Sequence, residues 1–208
     1  MQTIPQDVDV LLVGFGPVGA ACANLLGRYG VRTLVIDKAK EVYTAPRAIV
    51  LDNEALRILQ MAGLEEGSFA TRVIPRVEMH SPLFGNYGHI YAAGHVDCHP
   101  QLVTFFQPEL ERVLRARLAR HACVHVALGV ELAGYEDDGT GVTATLRHED
   151  GAWSVVRARY LVGADGSHSH VRQLAGIAFD GKTFTQDWLV VDAVDVPRAI
   201  DQVGRAHV

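Results

Sequence analysis

The sharpest chemical signal in the chain is Gly14-Phe15-Gly16-Pro17-Val18-Gly19, set between an apolar run and a helical stretch. Gly14 permits a tight turn, Gly16 lets the backbone approach a pyrophosphate with no side chain in the way, and Gly19 lets helix and strand pack closely. The helix starting here offers unpaired N–H groups and the positive end of its dipole to phosphate oxygens. Asp37 falls 18 residues after Gly19, at the end of a second apolar run. A carboxylate there can accept hydrogen bonds from both hydroxyls of an adenosine ribose, and it discourages a 2′-phosphate. Turn, helix and acid together point to a bound dinucleotide of the FAD or NAD kind; an ordinary βα turn is the plain alternative.

The elements that must position these residues follow from periodicity. Residues 8–13 and 32–36 are β-branched-rich and continuously apolar, as strands buried on both faces are. Residues 17–29 read as a small-residue helix ending at Gly30. The three make a βαβ unit, hence parallel strands joined by a right-handed crossover. Residues 52–61 predict an amphipathic helix with Leu56, Leu59 and Met61 inward and Asp52 or Asn53 as cap. From 76 to 107, short strand-like pieces broken by Pro82, Gly85, Gly88 and Gly94 predict antiparallel strands of a different layer. Helix returns over 109–122, with Leu110, Val113, Leu114 and Leu118 on one face and arginines on the other, and 124–127 predicts a third parallel strand. Strands over 131–136, 142–148 and 153–158, joined at Asp138-Gly139 and Asp150-Gly151, predict a β-meander lying across the parallel sheet. A short buried strand over 160–162 runs into the turn 163–166. A short helix follows over 171–175, with Ser169 as its cap, and 184–196 alternates as an antiparallel strand does. The fold class is therefore α/β: a Rossmann-like dinucleotide-binding domain with a parallel sheet and a β-meander, plus part of an antiparallel sheet.

Composition excludes several other functions. A formal charge of −5 with no dense Lys/Arg cluster argues against a nucleic-acid partner. Hydrophobic and charged residues, 49% and 21%, are those of a globular chain. Cys22, Cys98 and Cys123 form no C-x-x-C pair, so no disulfide framework and a reducing cytoplasm are expected. The apolar stretch 10–26 follows Asp7 and Asp9, is interrupted by Gly14, Gly16, Pro17, Gly19 and Asn24, and falls short of the roughly 20 residues of a spanning helix; no membrane segment is expected. His95, Cys98 and His99, like His121, Cys123 and His125, lack ligand spacing, so no metal is expected. There is no G-x-S-x-G elbow for serine hydrolase chemistry.

Outside the turn, residues 165–172 read as D-G-x-x-S-x-x-R, with Asp165, Gly166, Ser169 and Arg172 at the specified places. With this stretch, Pro46-Arg47-Ala48-Ile49, Asp52-Asn53-Glu54-Ala55-Leu56-Arg57, Phe106-Gln107-Pro108-Glu109-Leu110-Glu111 and Phe179-Asp180-Gly181-Lys182-Thr183, the chain resembles the flavoprotein aromatic hydroxylases. These are the p-hydroxybenzoate hydroxylase-like FAD monooxygenases, and the likeness is greatest to their 3-(3-hydroxyphenyl)propionate hydroxylase branch. It runs over residues 8–196. It implies FAD as cofactor, NADH or NADPH as reductant, and hydroxylation of a phenolic aromatic substrate with O2. By the same resemblance Gly14, Gly16 and Gly19, with Pro17 and Val18 at the helix start, cradle the pyrophosphate. Asp37, with Lys38 beside it, holds the AMP ribose, where the family more often has Glu. Arg47 lies near pyrophosphate and flavin, and its fork of donors suits phosphate oxygens. Gln107 reaches the ribityl-phosphate region, the backbone at Val130 meets adenine, and Asp165 and Gly166 touch FAD and the path of the reductant. Each has a plainer reading: Arg47 as a surface ion-pair partner, Gln107 as a helix cap, and residues 165–167 as a turn. No catalytic acid or base is assigned.

The resemblance divides the chain into 1–75 (FAD-binding βαβ and following helix), 76–106 (substrate-domain strands), 107–180 (remaining FAD-binding domain with the meander) and 181–208 (start of the substrate-domain sheet). The family's second FAD motif is a Gly-Asp dipeptide, and none of the 20 glycines here precedes Asp. The expectation is an N-terminal portion without the flavin-ring half of the site, binding FAD weakly, its unpaired edge at 184–196 favouring a homo-oligomer. Two alternatives stay open: a non-hydroxylating FAD-superfamily oxidoreductase, such as a halogenase or geranylgeranyl-type reductase, or a catalytically inert binding module.

Overall fold

The computed structural model describes residues 4–45 and 47–186. Strand β1 (Asp7–Val13), helix α1 (Pro17–Arg28) and strand β2 (Thr33–Asp37) form the expected βαβ unit. Their apolar runs are continuous because the sheet has a core on each face. Leu11, Val13, Leu34 and Ile36 enter one core, while Val10, Leu12 and Val35 enter the other. Gly19, Ala20, Ala23 and Gly27 are the buried face of α1, and their small size lets the helix lie close to the strands.

Strand β3 (Val50–Asp52) leads into α2 (Asn53–Met61), capped by Asp52, whose Oδ1 accepts the Ala55 N–H at 2.8 Å. Leu59 is buried, but Met61 is 44% exposed and not inward as its spacing suggested. The helix ends there, and the chain turns so that Ala62 and Leu64 fill the core instead. Strands β4 (Thr71–Val73), β5 (Arg76–Ser81), β6 (Gly85–Tyr91), β7 (His95–Val96), β8 (His99–Pro100) and β9 (Leu102–Phe105) are all antiparallel, as expected for those within 76–107; β4 lies ahead of that stretch. β9 lies between β3 and β4, so that small sheet draws strands from both sides of residue 75.

Helix α3 (Gln107–Arg117) begins two residues earlier than periodicity suggests, because Pro108 in its first turn needs no N–H partner. Leu110, Leu114 and Leu118 face the core. The arginines do not form one solvent face. Arg117 Nε donates to the Ala62 carbonyl at 3.1 Å, and Arg115 turns inward to the turn before α1.

Strands β10 (Val124–Leu128), β11 (Val130–Asp137), β12 (Val142–His148) and β13 (Trp153–Gly163) complete a six-stranded sheet ordered β10-β2-β1-β13-β12-β11. The first four are parallel and the last three form the meander. β13 belongs to both, so 160–162 is its second half and not a separate strand. Tyr160 is 62% exposed, so that end is not buried either; pairing with β1 holds its backbone. The sheet curls until β11 touches β2, and Val130, Leu132, Leu146 and Val156 share a core with Leu11 and Ile36. Helix α4 (His170–Leu174) follows the turn after β13. The strand expected over 184–196 lies, apart from its first three residues, outside the described residues, as do Pro46 and nearly all of the 181–208 division.

Asn24 fastens α1 to α3. Fully buried, its Nδ2 donates to the Ala20 carbonyl at 2.8 Å and to the Leu114 carbonyl at 2.9 Å. Asn24→Ala removes both bonds and opens a small void, so urea denaturation should show a loss of about 1–3 kcal/mol with an unchanged slope. A loss below the error of the midpoint would mean the amide contributes no net stability.

Candidate functional site

The carboxyl ends of β1, β2 and β13 open onto a cleft of about 1010 Å³. Ligands sit at this edge in open α/β sheets, because helices begin and loops diverge there. The turn 14–19 forms its floor. Gly14 has φ 104, and a Cβ there would strike the Ala164 carbonyl. A Cβ on Gly19 would strike the Gly14 carbonyl, so Gly19 lies beneath the turn and does not line the cleft. Gly16 differs: a Cβ built on it meets no heavy atom within 4 Å, because it would project into the cleft. No side chain caps α1, whose N-cap is Gly16 and whose first turn holds Pro17. The floor is thus bare backbone under the positive end of a helix, a surface that accepts a pyrophosphate.

The structure brings Gly14, Gly16, Pro17, Val18, Asp37, Lys38, Arg47, Gln107, Val130, Asp165 and Gly166 to this one cleft. Several have occupations that sequence alone did not reveal. Asp37 Oδ2 accepts the Phe15 N–H at 2.7 Å and its Oδ1 the Ala39 N–H at 2.8 Å, so the acid braces the turn. Each oxygen retains acceptor capacity for a ribose hydroxyl. Gln107 does not cap α3, whose N-cap is Phe106. Its Oε1 accepts the N–H groups of Arg47 and Ala48, at 3.0 and 2.9 Å, and so fastens the 47–48 loop to the helix start. Arg47 stacks over the Tyr43 ring at 4.9 Å and makes no ion pair among the described residues.

Asp165 faces inward along its own turn. Its Oδ1 accepts the Ser169 hydroxyl at 2.6 Å, and its Oδ2 the N–H groups of His170 and Val171 at 2.7 and 3.2 Å. Partial burial pushes its pKa up, but these bonds outweigh that and hold it below the ordinary value. Ser169 caps α4, its Oγ accepting the Arg172 N–H at 3.0 Å.

Three residues of this region went unassigned in the sequence: Phe15, Glu111 and Arg115. Arg115 Nε and Nη2 donate to the Phe15 carbonyl at 3.1 and 2.7 Å, and its guanidinium lies 4.5 Å from the centre of the Phe15 ring. Glu111, 4% exposed, accepts the Gln107 side-chain amide at 2.8 Å and approaches Arg115 at 4.0 Å. The signal was present: Gln107, Glu111 and Arg115 recur every four residues, one row on α3 beside Leu110, Leu114 and Leu118. Among the described residues, no group of His, Cys, Asp or Glu could hold a metal ion, and no helix is long and apolar enough to cross a membrane.

A family model described as FAD binding domain matches residues 7–207. The 3-(3-hydroxy-phenyl)propionate/3-hydroxycinnamic acid hydroxylase of Comamonas testosteroni is 37% identical over 211 residues, a match covering 100% of this chain and 34% of that protein. Its namesake in Mycobacterium sp. (strain JLS) is 40% identical over 197 residues, covering 92% and 33%. The chain thus spans about a third of the length of these relatives. Among solved structures, the flavin-dependent monooxygenase PieE in complex with FAD and substrate superimposes with a TM-score of 0.69 at 28% identity, over 85% of this chain and 33% of that one. A p-nitrophenol 4-monooxygenase from Pseudomonas putida DLL-E4 shares the fold, with a TM-score of 0.78 at 24% identity, over 86% of this chain and 46% of that one.

Proposed function

The chain belongs to the FAD-binding domain family, and we propose that the protein carrying it is an NADH- or NADPH-dependent monooxygenase that hydroxylates a phenolic compound in the cytoplasm, in the breakdown of aromatic compounds. The observation that carries the reading is Gly16, open to the cleft at the uncapped start of α1 while Asp37 braces the same turn. A phosphate-binding floor with a ribose acceptor at its edge suits the AMP half of FAD. On this reading Gly14, Gly16, Pro17 and Val18 cradle the pyrophosphate, and Gly19 packs beneath them. Asp37 and Lys38 hold the ribose, and Val130 meets the adenine. Arg47 and Gln107 approach the ribityl phosphate, and the Asp165-Gly166 turn borders the path of the reductant.

Bound flavin supplies electron transfer from NAD(P)H and activation of O2; the chain supplies placement and exclusion of water. The division into FAD-binding segments 1–75 and 107–180 and substrate-domain segments 76–106 and 181–208 forms part of the proposal, as does assembly into a homo-oligomer. The names of the relatives support the substrate class, and three free thiols support a reducing compartment.

The protein carrying this chain should purify with flavin absorbance, and a phenolic substrate should speed NAD(P)H oxidation and gain one oxygen atom derived from O2. Flavin reduction at the same rate with no aromatic present, or phenols recovered unmodified, would end the hydroxylase reading.

A further inference from the structure

Phe15 occupies a position that the glycine fingerprint leaves open, yet its backbone is held at both its N–H and its carbonyl, and its ring is covered. Asp37 takes its N–H, the Arg115 fork takes its carbonyl, and the same guanidinium covers its ring, which is 3% exposed. A glycine-flanked turn is conformationally loose by itself. A turn that must present its amides to a pyrophosphate gains affinity if it is held in the receiving shape beforehand.

From these contacts we infer that Arg115 is a positioning residue for the pyrophosphate turn. Through Phe15 it fixes the backbone of Gly14–Gly16. Through buried Glu111 and Gln107 it links that turn to the loop at Arg47. The two segments on either side of the pyrophosphate are thereby held as one unit. The inference rests on the FAD reading above.

The planar fork is what the geometry requires. Two donors reach one carbonyl while the plane lies on the ring, and a lysine ammonium offers charge without that plane. Arg115→Met keeps the apolar stem and removes the fork; Arg115→Lys keeps the charge. Calorimetric titration of the protein carrying this chain with ADP and with adenosine separates the cases. In Arg115→Met, ADP should weaken about tenfold or more, the scale of a lost charged hydrogen bond. Lysine should restore less than half of that loss on a logarithmic scale. Adenosine does not use the turn and should hold to within about twofold.

Unchanged ADP binding in Arg115→Met overturns the inference. So does full restoration by lysine, which would make bare charge the cause, and so does equal weakening of ADP and adenosine. If Arg115→Met does not fold, Phe15→Leu removes the stacked ring from the other side, and loss of ADP with adenosine spared is again the supporting result. A parent protein that binds neither FAD nor ADP would end the FAD reading together with this inference, whereas the preceding outcomes bear on Arg115 alone.

Discussion

Replacing Gly16 with valine is expected to leave a folded protein that no longer retains FAD. The backbone at Gly16 has φ −72 and ψ −169, a conformation open to any L residue. A Cβ there meets no heavy atom within 4 Å, so the fold has room for it. Thermal stability should hold, or rise by about 0.4–1 kcal/mol as the unfolded chain loses freedom. The space the side chain enters is the space a pyrophosphate needs, and overpacking of about 3 kcal/mol weakens binding about a hundredfold. Gly14 and Gly19 behave differently. Side chains there strike the backbone of Ala164 and of Gly14, so substitution damages the turn itself and lowers stability along with binding. Flavin absorbance after desalting, read beside a melting curve, separates the two kinds of glycine. A Gly16→Val protein with the parent's affinity would show that the pyrophosphate does not cross this turn.

What could be read from the sequence is what burial on both faces imposes. The runs at 8–13 and 32–36 must be apolar throughout, because Val10 and Leu11 enter opposite cores, and the turn between them must be glycine where backbone meets backbone. The meander was equally legible, since Asp-Gly pairs mark its corners and alternation its strands. The row on α3 was not. Gln107, Glu111 and Arg115 look like a solvated helix face, and only long-range contacts reveal their setting: the 47–48 loop bonds Gln107, and the turn before α1 meets Arg115. The strand over 160–162 was legible but its setting was not: it continues the last strand of the meander, Tyr160 and Val162 are exposed, and its backbone is held by pairing with β1.

The Asp165-Gly166 stretch was legible as a motif but not in its local work. A carboxylate at a turn suggests a ligand contact; here the acceptors of Asp165 are engaged by Ser169, His170 and Val171, so the residue builds the start of α4 before it serves the cleft. The same division of labour holds at Asp37, which braces Phe15 with a carboxylate that also lines the cleft. In both places one side chain shapes the loop and lines the cleft, which is why residue type and spacing pointed to the site without disclosing its mechanics.

Asp165→Ala is expected to destabilise the turn that opens α4. Three donors lose their acceptor at once, and the start of α4 loses the anion at the positive end of its short dipole. Because the group is partly open to solvent, the loss should be about 2 kcal/mol and not the sum of three buried bonds, which lowers the melting temperature by roughly 4–8 °C in a chain of this size. The pH dependence has a definite sign. The pKa of Asp165 is held below its ordinary value, so its contribution is fully present above that value and is lost as pH falls through the folded-state value. Melting curves of parent and Asp165→Ala should therefore differ at neutral pH and converge in acid. Asp165→Asn, which keeps one acceptor oxygen and cannot ionise, should fall between them, with its own difference from Ala insensitive to pH. Amide exchange should localise the change to residues 164–175, where Ala164 supports Gly14, so FAD affinity should fall as well. Identical melting at neutral pH, or a difference that persists below the range in which carboxylates titrate, would show that the carboxylate of Asp165 does not hold this turn.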